Sequence, residues 1–254
     1  MQPQPYFLKP TRGFTMIELS IVLVIIGLLV GGIASLQNYT RNAQITNVMN
    51  ESKLLTDAFS KFQTLYNAPP GDYNTASTAW TGAFDGDGNG IIRAVGGINP
   101  PQPLERYYAF QHLALAGFIQ GTYTGAVNGA GGATIGLNVP GSSIDKVAFL
   151  FDHPDATDGI VSGSLPYFDG TYGNILRVAG LNDNATSIPD QGFLTPKQAY
   201  QVDEKYDDGM PGQGNIVVPD PGSLPNCASS PNPAAATYVT SSDDKTCYLF
   251  LKMQ

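Results

Sequence analysis

Residues 13–36, GFTMIELSIVLVIIGLLVGGIASL, form a nearly unbroken apolar run that contains one carboxylate, Glu18. From Leu19 to Leu36 the run carries no charge. Its length lies at the short end of what spans a hydrocarbon core as a helix. A buried helix of a soluble domain would keep a polar stripe over five turns, and this run has none. A membrane span over residues 14–36 is therefore expected. Gly27, Gly31 and Gly32 suit it: they weaken a helix in water but let helices approach closely in lipid. Lys9 and Arg12 on the N-terminal flank predict an N-in, C-out orientation. Residues 1–13 are unlike a secretory signal, which places its basic residues first and a small-residue cleavage site after its apolar core. A carboxylate at the head of such a segment is costly in hydrocarbon and marks a function with a partner to be named. The plainer reading has Glu18 at the interface, reaching water.

After Leu36 the pattern turns amphipathic. Ile45, Val48, Met49, Leu55, Ala58, Phe59, Phe62, Leu65 and Tyr66 recur at helical spacing, and no proline interrupts residues 15–67. Pro69, Pro70 and Gly71 then stop the helix. The rest is loop-rich, in keeping with 29 Gly and 19 Pro. Residues 104–117 read as a helix closed by Gly117. Thr195-Pro196 opens another, running to about Asp208 and closed by Gly209. Strands are expected at 146–151, 174–178, 216–218 and 247–251, with a further candidate at 165–168. The fold class is α+β: a long N-terminal helix packed on a small antiparallel sheet.

Charge and cysteines bound the function. The net charge of −8 argues against a nucleic-acid binder, which would show a basic face. Cys227 and Cys247 are the only cysteines. Beyond a membrane segment such a pair reads as one disulfide in an oxidising compartment; two buried free thiols are the plainer alternative.

Gly13-Phe14-Thr15-Met16-Ile17-Glu18-Leu19, at the head of the apolar run, resembles the N-terminus of type IV prepilins and type II secretion pseudopilins. The resemblance implies cleavage between Gly13 and Phe14 by a membrane prepilin peptidase and N-methylation of Phe14. It implies that 1–13 is a removable leader, that 14–66 is a spine helix (14–36 in the membrane and then the fibre core, 37–66 amphipathic), and that 67–254 is an exported head. Glu18 would pair with the Phe14 amine of a neighbouring subunit during assembly. The implied partners are copies of the chain or related pilins, the peptidase, the inner-membrane assembly platform and the membrane itself. The implied product is a periplasmic or surface filament subunit, with no nucleic acid at the head. A C-terminal loop closed by a disulfide would lie on the filament surface. Family members often carry Pro where this chain has Ser35. A pseudopilin of type II secretion is the close alternative, and a membrane-anchored binding or enzyme domain a more distant one.

The chain offers further candidate sites by their chemistry alone. Asp85, Asp87 and Asn89, with Gly90, match the first half of a Ca2+ loop, in which oxygens at alternate positions converge on a hard cation. The twelfth position is Gly96 rather than Glu, so further ligands such as Asp72 or Glu105 would be needed; a solvated Asp/Gly loop is the plainer reading. Ca2+ is the one candidate cofactor, and none is required. Asp203, Glu204, Asp207 and Asp208 crowd the C-terminal end of a helix, the unfavourable end for acids, and read as a solvated cluster. His112 reads as structural. His153-Pro154-Asp155 lacks the helical hairpin of a J-domain, and the glycine-rich 125–136 does not complete a phosphate loop. No nucleophile–base constellation is found, and an enzyme is not expected.

Overall fold

The computed structural model describes residues 13–93, 104–127, 132–154, 168, 172–182, 188–219 and 227–253; the side chains of 32–38 lie outside the description. The first helix, α1, is Met16–Tyr66. The chain divides into two compact units, Met1–Thr46 and Asn47–Gln254, and the division falls within α1.

In the first unit Phe14 is 87% exposed, and the apolar side chains of α1 face outward, with Met16 89% exposed and Leu28 73%. No helix among the described residues is long and apolar enough to cross a membrane. The expected span over 14–36 is not met on that criterion.

In the second unit α1 continues as one wall of an α+β head. Val48, Ser52, Leu55, Phe59 and Phe62 are buried at alternating steps of four and three, the seam of a helix that packs on one side. Leu65, expected on that face, is 65% exposed, and Leu54 is exposed as well. Asn67, at φ 53, ends α1 ahead of the two prolines. The other helices are α2 (Ala76–Ala79), α3 (Glu105–Leu115) and α4 (Pro196–Tyr206). At the end of α3 the Phe118 N–H donates to the Leu113 carbonyl and the Gly117 N–H to the Ala114 carbonyl, with Gly117 at φ 77. These two bonds satisfy carbonyls that the helix end would otherwise orphan. α4 opens with a capping box: Thr195 accepts from the Gln198 N–H, and Gln198 accepts from the Thr195 N–H.

The strands are β1 (Val147–Asp152), β2 (Ile175–Gly180), β3 (Ile216–Val217) and β4 (Leu249–Lys252). They form one antiparallel sheet in the order β1-β2-β4-β3. Of the expected 165–168 strand, only Phe168 lies within the described residues, outside any strand. β1 and β2 are buried along their whole length. Phe151 of β1 sits between Phe59 of α1 and Phe110 of α3, each ring centroid 5.1 Å away. A buried ion cluster ties three elements together: Asp152 at the end of β1 meets Arg106 of α3 and Arg177 of β2, each at 2.9 Å. The Arg177 guanidinium also lies 4.6 Å from the Phe250 ring centroid.

Candidate functional site

Two sites merit attention, one in each unit. The first is the head of α1. Residues 13–15 are non-helical and α1 begins at Met16, so Thr15 is its cap residue. The Thr15 N–H and Oγ1–H both donate to Glu18 Oε2 at 2.8 Å, and the Glu18 N–H donates to Thr15 Oγ1 at 3.3 Å. Thr15-Met16-Ile17-Glu18 is thus a capping box. Its T-x-x-E signature stands in the sequence, but a lone carboxylate beside an apolar run drew attention to charge rather than to capping. Gly13 and Phe14 lie just ahead of the box and are exposed.

The second site is built on the loop after α1. Gly71, at φ 95, passes so close to the Glu105 carbonyl that a Cβ would strike it, and a Cβ on Gly86 would strike the Asp72 backbone. These two close approaches bring residues 71–90 against the start of α3. Asp72 is buried and accepts from the Asn89 N–H at 2.9 Å and the Gly90 N–H at 2.8 Å. Glu105 is fully buried and accepts from the Asp87 N–H at 2.9 Å and the Arg93 N–H at 3.2 Å. One carboxylate oxygen from each of Asp72, Asp87 and Glu105 lies within 4.8 Å of the others. Burial pushes the Glu105 carboxyl up to about 7, and the nearby charges of Asp87 and Asp72 add to the push. Asp72 is also raised, chiefly by burial.

The gathered carboxylates differ from the set read off the loop motif. Asp87 belongs to the group. Asp85 turns away and accepts from the Ser77 N–H and Oγ–H, both at 2.7 Å. The Asn89 side-chain N–H donates to Asp87 at 2.7 Å, and the Asn89 Oδ1 accepts from the Ile91 N–H at 2.7 Å. Asp72 and Glu105, named as supplementary ligands, are two of the three members. Hard carboxylate oxygens converging in this way are the donor set of Ca2+ rather than of a soft metal.

His112 braces the same region. Its Nδ1 accepts from the Gly71 N–H at 2.9 Å, and its Nε2 lies 2.8 Å from the Phe84 carbonyl, which assigns the proton to Nε2. Burial brings its pKa down to about 4, so the ring is neutral, as the two bonds require. It stacks on Phe62 within a cluster of Tyr66, Tyr73 and Trp80.

Of the four acids at the end of α4, Asp203 and Asp207 are held within the fold, whereas Glu204 and Asp208 are exposed. Asp203 is fully buried and accepts from the Tyr238 O–H at 2.7 Å and the Gly209 N–H at 3.3 Å. Asp207 accepts from the backbone of Asn215 and Ile216. Burial pushes Asp203 up to about 6, and Asp208 and Asp207 add to it. Tyr238 lies in the loop that the Cys227–Cys247 disulfide closes; the two Cα atoms are 5.3 Å apart. His153 approaches Asn174, and Asp155 lies outside the described residues.

Residues 8–34 match the family model described as the prokaryotic N-terminal methylation motif. The matched segment includes Gly13, Phe14 and Glu18, and it stops before the head. No curated protein and no solved structure matches the chain. Over these residues the chain is similar to the type IV prepilins and pseudopilins, whose N-termini carry this processing motif.

Proposed function

We propose that this protein is a structural subunit of a type IV pilus-like filament. The precursor is held in the inner membrane, N-in, by residues 14–36, with residues 67–254 exported. A prepilin peptidase removes residues 1–13 and methylates the new Phe14 amine. The processed subunit then polymerises through its N-terminal helix on an inner-membrane assembly platform. The observation that carries this reading is the methylation motif set on a helix whose large apolar side chains, from Phe14 to Val30, are all about half exposed or more. Such a surface is unstable in water and needs lipid or other helices to cover it. Burial among copies of itself would exchange one cover for the other. The test is mass spectrometry of the protein from membranes and from sheared surface material. The expected N-terminus is N-methylated Phe14, recovered in both fractions. An intact Met1 in cells that carry an active prepilin peptidase would sink the reading.

The three-carboxylate pocket adds a second element. Ca2+ bound by Asp72, Asp87 and Glu105 would staple the loop after α1 to α3. Extracellular calcium modules work at about 0.1–1 mM. In that range Ca2+ is expected to protect residues 72–93 from proteolysis in the wild type, and to do so much less in Asp87→Asn. Equal digestion with and without Ca2+ would count against the site.

A further inference from the structure

We propose that the Thr15–Glu18 capping box is a positioning element for processing: it starts the helix just past the Gly13–Phe14 bond and leaves that bond in non-helical backbone. The inference rests on the processing reading above. Processing is hydrolysis: water adds across the Gly13–Phe14 amide, leaving a carboxylate on Gly13 and an amine on Phe14. An amide inside a helix turns its carbonyl along the axis towards an N–H four residues on, and neighbouring side chains cover it. The bond to be cut therefore has to lie ahead of the helix. Here it lies two residues ahead of Met16, the first helical residue. Phe14 is 87% exposed, and the space where a Gly13 Cβ would sit has no heavy atom within 4 Å.

What holds the boundary there is local. Helix starts leave orphan N–H groups. Thr15 Oγ1 takes the Glu18 N–H, while the Glu18 carboxylate takes both the Thr15 N–H and its hydroxyl. The Leu19 N–H donates to the Thr15 carbonyl at 3.1 Å, which makes it the first bond of the regular helical ladder. Without the hydroxyl the start is free to fray inward or creep towards Gly13, and the bond then visits several backbone states. Thr15 is thus a positioning residue; the catalytic groups belong to the peptidase.

The test follows cleavage of the full-length precursor in membranes by a prepilin peptidase, with carbonate extraction to confirm equal insertion. Thr15→Val, which keeps the side-chain shape and loses the hydroxyl, is expected to slow cleavage about fivefold, the equilibrium value of a typical cap. Thr15→Ser and Thr15→Asn cap helices with side chains of different shape, and both are expected to be cut near the wild-type rate. Rescue by both separates capping from direct recognition of the threonine. Wild-type cleavage of Thr15→Val, or slow cleavage of all three variants, would overturn the proposal while leaving the processing reading intact. A wild-type precursor that is never cut at Gly13–Phe14 would overturn both.

Discussion

Replacing Asp152 by asparagine is expected to destabilise the protein by about 3–5 kcal/mol, the usual cost of breaking a buried ion pair from one side. Asp152 is a single buried carboxylate between two buried guanidiniums, Arg106 and Arg177, each at 2.9 Å. An amide keeps the shape but removes the charge that offsets both cations. The affected elements are α3, β1 and β2, so the loss reaches the middle of the head. Urea unfolding of the detergent-solubilised protein reads it, because the single tryptophan, Trp80, reports from the cluster of Phe62, Tyr66 and Tyr73. The pH dependence follows from the same geometry. Burial opposes ionisation of Asp152, but Arg106 and Arg177 outweigh it and hold the carboxyl below its ordinary range. A depressed carboxyl contributes stability that is present above its unfolded value and is lost as pH falls through the folded one. Wild type therefore loses this contribution below about pH 4, and Asp152→Asn, which cannot titrate there, has a shallower acid slope. A variant as stable as wild type at pH 7 would show that the pair merely breaks even.

The parts of this fold that were legible in the sequence depend on near neighbours. The ends of α3 and α4 are written in Gly117 and in Thr195-Pro196, whose capping acts within a few residues. The parts that were not legible depend on distant ones. Arg177 stands in a short strand pattern, where a charge suggests a solvent-facing position, yet it is buried because Asp152 lies 25 residues before it. Asp203 read as one of several solvated acids, and it is buried because Tyr238 comes 35 residues later. The loop motif pointed to the right stretch for a cation and not to the right set. Glu105 joins it only because Gly71 and Gly86 let the backbones close up. The capping box at Thr15 is a local signal that was present and went unread.

Glu18→Gln is expected to be inserted and processed like wild type but to yield at least about tenfold less filament, the equilibrium equivalent of one lost hydrogen bond to a charged group. The choice of glutamine matters. At the third helical position Gln completes a capping box as Glu does, so the bonds with Thr15 survive and the helix still starts at Met16. Only the charge is removed. In the precursor Glu18 meets Thr15, and Phe14 carries an amide rather than an amine. Cleavage creates a cation one residue ahead of the cap. In a filament that cation can be supplied by a neighbour, and correct register is then the arrangement that leaves no charge unpartnered in an apolar core. The amide cannot make that distinction. Glu18→Ala loses the cap and the charge together, so it is expected to combine slower cleavage with poor assembly. Sheared filament yield, measured against the processed pool in the membrane, separates the two roles. Normal filaments from Glu18→Gln would mean that capping alone accounts for this carboxylate.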